Sequence, residues 1–121
     1  VDMNDLKFTT AGDYMENRDT FTEQMDYHTE YGKTFGADTV WSIYDEGIMF
    51  DDDHPFGKGV VIRHKSDFIP YDVKVPVRGK TWGDIWKAAD EAIVESGDKH
   101  HIFIEGFENN GMGELTVFTG S

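Results

Sequence analysis

The chain contains no cysteine. That excludes disulfides, thiolate metal sites and a cysteine nucleophile, and it goes with a cytoplasmic location. No run of 18 or more apolar residues occurs, so the sequence predicts no transmembrane helix and no membrane partner. No basic-then-apolar segment opens the chain, so it predicts no signal peptide. Basic residues are scarce: 11 Lys and Arg stand against 24 Asp and Glu, a net charge of −13 over 121 residues. A field of that sign repels phosphate backbones, so direct nucleic-acid binding is not expected.

Several chemical signatures are missing as well. The serines are Ser42, Ser66, Ser96 and Ser121, and none lies in a Gly-x-Ser-x-Gly elbow. No Gly-x-Gly-x-x-Gly follows a strand and no Walker loop is present. The glycines around Lys58 in "FGKGVV" lack a following helix whose N-terminus would hold a phosphate.

Large side chains, by contrast, are plentiful. Nine Phe, five Tyr and three Trp supply enough apolar area for a folded core. The length suits one domain over 1–121. Alternation of Leu6 and Phe8 with polar residues predicts a strand over 5–11. A helix is expected next, capped by Asp13 with Glu16 or by Thr20 with Glu23. Its apolar stripe would carry Tyr14, Phe21, Met25 and His28, with the Arg18 stem alongside, and Gly32 would end it.

The segment 37–47 reads as a strand with bulk on both faces, from Val40, Trp41, Ile43 and Tyr44. Residues 48–59 read as a loop and a strand resumes at Val60. Val73, Val75 and Val77 alternate with polar residues, and Pro76 places that strand at an edge. The clearest helix starts at Thr81, boxed by Asp84, buries Trp82, Ile85, Trp86, Ala89 and Ile93, and stops at Gly97. Strands over 99–108 and 114–120, joined by "NNGMG", form a C-terminal hairpin. The order predicts an α+β fold: a mainly antiparallel sheet of about five to six strands, with two helices packed on one face.

Three groups of residues are candidates for function. The adjacent His100 and His101 would point to opposite faces of a strand, and His101 would stand about 13 Å from Glu105 along it, too far to chelate. They are therefore expected to start a strand near solvent. The loop "DDDHPF" offers Asp51, Asp53 and His54 as ligands for a divalent metal, with His64 or His101 completing the set, but it lacks the spacing of a calcium loop. Trp41, Tyr44, Met49, Phe50 and Phe56 cluster in sequence around Asp51, Asp52 and Asp53. Aromatics and Met suit the centre of an interface, and acids at its rim steer a basic partner.

The sequence thus points to a small acidic binding or accessory protein, not catalytic, that meets a basic protein surface through this loop. A second copy covering the open sheet face would make it a homodimer. The alternatives are a metal-dependent hydrolase built on Asp51, Asp53, His54 and His101, and a structural component of a larger assembly.

Overall fold

The computed structural model describes residues 18–44, 48–66 and 71–120, apart from the side chains of 18–21. The strand expected over 5–11, the helix start at Asp13 with Glu16, and Tyr14 lie outside the described residues, as do the side chains of Arg18, Thr20 and Phe21. The elements are α1 (Arg18–Phe35), β1 (Val40–Trp41), β2 (Val61–Ser66), β3 (Tyr71–Pro76), α2 (Trp82–Ser96), β4 (Phe103–Gly111) and β5 (Glu114–Gly120). Among the described residues, two helices and a five-stranded sheet give the expected α+β class. Among the described residues no helix is long and apolar enough to cross a membrane.

The sheet runs β1-β4-β5-β2-β3. Its long ladders are antiparallel, with seven residue pairs between β4 and β5 and six between β2 and β3. The contacts β1–β4 and β2–β5 are parallel and short, with two and three pairs. The sheet is therefore mixed, though mostly antiparallel. Strand β3 lies at the edge, where Pro76 costs no ladder bond. The β4–β5 hairpin turns through Met112 and Gly113 at φ 55° and 78°, the two left-handed residues that a type I′ turn requires.

Helix α2 forms where its pattern places it. Thr81 Oγ1 accepts the Asp84 N–H, and the Asp84 carboxylate accepts the Thr81 N–H. Gly97 ends the helix at φ 79°. The helix buries Trp82, Ile85, Trp86, Ala89 and Ile93 against β2 and β3.

Of the stripe expected on helix α1, His28 is buried and Met25 is not. Met25 is exposed, and the packed face is Tyr27, His28, Tyr31, Gly32 and Phe35. Gly32 does not stop the helix. It lies inside, because a Cβ there would stand 2.8 Å from the Trp86 ring. The helix ends at Gly36, φ 68°, with the Ala37 N–H returning to the Gly32 carbonyl in a Schellman closure.

Of the segment expected as one strand over 37–47, the described residues 37–44 contribute the two-residue β1 to the ladder, with Ile43 in an isolated bridge beyond it. Trp41, Phe50 and Trp86 form the hub of the core, with Phe50 stacked on Tyr31 at 4.5 Å and set edge-on to Trp41 at 5.4 Å. One polar relay crosses this core. Trp86 Nε1 donates to Thr39 Oγ1, which donates to Asp90 Oδ1.

Candidate acid–base cleft

Strands β2 and β5 pair from Val61 with Glu114 to Arg63 with Thr116, and then part. Residues 64–66 of β2 remain paired only with β3. The separation opens a cleft of about 500 Å³ at the C-terminal ends of two parallel neighbours. In sheets with parallel strands that is the end where ligands collect. His64, Ser66 and Tyr71 line one side, Val117 to Thr119 the other, and Asp98 and His101 close the end.

The turn after α2 places the last two. Gly97 takes the left-handed conformation, and the Asp98 N–H donates to Ser96 Oγ. Asp98 Oδ1 then accepts the backbone N–H groups of His100 and His101, at 2.9 and 3.1 Å. Its Oδ2 stands 2.8 Å from His101 Nδ1. Burial of the carboxylate opposes its charge, but the two backbone donors and the His101 ring outweigh burial and hold the pKa at about 2. An ionised Asp98 is an acceptor only. His101 Nδ1 therefore carries the proton toward it, and the Nε2 lone pair is left for the cleft. The His101 side chain is half exposed, while that of Asp98 is 5% exposed.

A second arm reaches the same carboxylate. Tyr71 OH lies 3.1 Å from His64 Nε2 and makes a long contact of 3.5 Å to Asp98 Oδ2. Burial, then the Asp98 charge, raises the Tyr71 pKa, and burial lowers that of His64. Both groups are neutral near pH 7. Among the described residues His64 Nδ1 is buried without a hydrogen-bond partner. A lone acceptor nitrogen in that place costs less than an orphaned N–H, so the cheaper arrangement has His64 Nε2–H donating to Tyr71, and Tyr71 donating to Asp98. The hydrogen bonds then run from both histidines toward one carboxylate.

The two histidines do not begin the strand. Strand β4 starts at Phe103, and His100 and His101 belong to the turn that Asp98 organises. The alternation over 99–108 hid this turn. The signal for it was Asp98 itself, three residues before His101 and directly after a helix-ending glycine.

The acidic loop is a separate place. The carbonyls of Phe50 and Asp52 accept the Gly83 and Trp82 N–H groups, and the His54 N–H donates to Lys80. The loop thus satisfies donors that the first turn of α2 leaves over. Asp51, Asp52, Asp53 and Met49 are exposed. Trp41, Tyr44 and Phe50, expected at an interface, are buried in the core. Phe56 is half-buried, stacked on His54 and edge-on to Trp82.

The metal set does not assemble. His54 sits beside the start of α2 and His101 follows its end, and a 15-residue helix spans about 22 Å. Among the described residues no three His, Asp or Glu side chains stand where they could hold one ion. His54 is buried, with Nδ1 accepting the Phe56 N–H.

No protein-family model, curated protein or solved structure matches the chain.

Proposed function

We propose that the protein binds a small polar molecule in the β2–β5 cleft and moves a proton on it, with His101 as the base. The observation that carries this reading is the 2.8 Å contact between Asp98 Oδ2 and His101 Nδ1 at the wall of a cleft. A carboxylate on Nδ1 fixes the tautomer, aims Nε2 outward and stabilises the imidazolium that forms when Nε2 takes a proton. Tyr71, on the same carboxylate, is the second group able to pass a proton. A positioned base of this kind contributes roughly 10²–10⁴ in rate.

The test needs no substrate. Diethyl pyrocarbonate acylates the free nitrogen of neutral imidazole. His28, His54 and His64 are buried, while His100 and His101 are exposed neighbours, so His100 is an internal control. His101 should react several times faster than His100, and Asp98→Asn should abolish the difference while leaving the fold intact by circular dichroism. Equal rates in the unsubstituted protein contradict the reading.

A second reading has its own observation. Asp51, Asp52 and Asp53 are all exposed on a loop whose backbone is tied to the start of α2. A fixed acidic ledge on a chain of charge −13 suits a basic protein surface and would speed encounter with it. On this reading the chain is a cytoplasmic accessory protein working as a homodimer. Replacing the three Asp by Asn should slow association with poly-L-lysine and flatten its salt dependence. An unchanged rate removes it.

A further inference from the structure

We infer that the cleft takes a small aromatic carboxylate, an assignment that rests on the acid–base reading above and names the class of molecule it acts on. Its first support is an apolar stripe on the sheet face away from the helices. Val40 on β1 pairs with Phe103 on β4, and Phe103 pairs with Gly120 on β5. Phe118, two residues before Gly120 on the same face, pairs with Gly106. Val40, Phe103 and Phe118 are 37%, 38% and 48% exposed. Side chains on diagonal positions of adjacent strands lie about 7–8 Å apart, within reach of aromatic rings. Phe118 also lines the cleft that holds His101 and Tyr71. Phe118 therefore belongs to both the stripe and the cleft, with the Glu105 carboxylate lying over Gly120 between Phe118 and Phe103, and it offers a ring face where a flat apolar group can lie.

The second support is charge. Lys65 lines the same cleft, on the β2 side that faces Phe118 across the parted strands. It faces Asp72 across the β2–β3 ladder and its charge acts on that carboxylate, but among the described residues it makes no close ion pair, whereas Arg63 is held by Asp72 and Lys74 by Glu114. Glu108, exposed at the Thr116 end of the cleft, repels an anion there, whereas at the Lys65 end the Asp72 and Asp98 carboxylates are already engaged, by Arg63 and by the His100 and His101 donors. A ring on Phe118 with its carboxylate at Lys65 occupies the cleft that His101 also lines. Burying both parts at once asks for an aromatic acid, and neither a simple anion nor a neutral ring supplies both contacts.

The experiment titrates the full chain with benzoate, acetate and benzyl alcohol while following backbone amide resonances. Benzoate should give saturable shifts at Lys65, Phe118 and Thr119 and should slow acylation of His101. Phe118→Ala should weaken it about fivefold to tenfold, and Lys65→Met severalfold. Both residues are exposed, so neither change threatens the fold. Acetate binding as tightly as benzoate overturns the aromatic part, and benzyl alcohol binding as tightly overturns the carboxylate. No saturable shift with benzoate overturns the assignment, as does a doubled mass in solution with the stripe protected by a second copy. Loss of benzoate binding while His101 still outpaces His100 sinks the ligand class alone. Equal histidine rates sink the acid–base reading beneath it.

Discussion

Asp98 holds His101 twice, through the backbone N–H at Oδ1 and through ring Nδ1 at Oδ2, 3.1 and 2.8 Å away. The double hold fixes both where the ring begins and which way it faces. A single hydrogen bond to an exposed imidazole leaves the ring free to rotate, whereas this arrangement keeps the Nδ1 edge on Asp98 and leaves Nε2 on the edge away from it.

The same hold couples Asp98 to stability. Its folded pKa of about 2 lies below the ordinary 3.8, so its contribution is complete above about pH 4 and is lost as the pH falls toward 2. Asp98→Asn should therefore be less stable than the parent chain at pH 6, and the gap should close between pH 4 and 2. Denaturant unfolding at a series of pH values measures this. A gap that stays constant down to pH 2 contradicts the assignment.

Buried histidines act at higher pH. His28 Nδ1 donates to the Trp41 carbonyl, and burial lowers the His28 pKa from 6.5 to about 4 despite that bond. A depressed folded pKa means that the unfolded chain takes up the proton first as acid is added. Stability should fall between pH 6.5 and about 4, with His54 and His64, also lowered by burial, adding to the slope. His28→Gln should flatten part of this slope, read by thermal melts across the window.

Gly32→Ala should destabilise the chain by about 1–3 kcal/mol, the usual cost of overpacking. The added methyl would stand 2.8 Å from Trp86 Cη2, and Trp86 is pinned by its Nε1 bond to Thr39. Gly36 has open space around its Cα but a φ of 68°, so Gly36→Ala should cost less, about 1 kcal/mol. Equal losses from the two substitutions contradict the close approach of Trp86.

Asp90 Oδ1 accepts from the Asp38 N–H, the Thr39 N–H and Thr39 Oγ1, at 2.6 to 3.0 Å. Asp90→Ala leaves the Thr39 donors unpaired beside the core and frees the end of β1. The expected cost is about 2–4 kcal/mol, checked by denaturant unfolding, together with faster amide exchange at Val40 and Ser42. A change below about 0.5 kcal/mol contradicts it.

Much of the fold was legible because local signals agreed with one another. In α2 the cap, the apolar spacing and the terminal glycine all gave the same bounds. Pro76 marked an edge strand, and "NNGMG" marked the hairpin. The phase of α1 was less legible, because its packed face holds Tyr27, His28, Tyr31 and a glycine, and polarity patterns register such residues weakly. Trp41, Tyr44 and Phe50 are core residues that composition could not tell from interface residues, since the same side chains suit both. The cleft was hidden for a topological reason. His64 and Tyr71 meet across the β2–β3 ladder, and Asp98 and His101 reach them because the end of α2 lies over those strands, a long-range docking that no local pattern encodes.

The most direct test of the acid–base cleft is the tautomer of His101, read from long-range ¹H–¹⁵N correlation spectra at a pH where the ring is neutral. The account predicts a protonated Nδ1 and a bare Nε2, with the population shifting toward protonated Nε2 in Asp98→Asn. An Nε2–H tautomer in the unsubstituted chain would mean that Asp98 does not hold the ring, and that His101 offers the cleft no base.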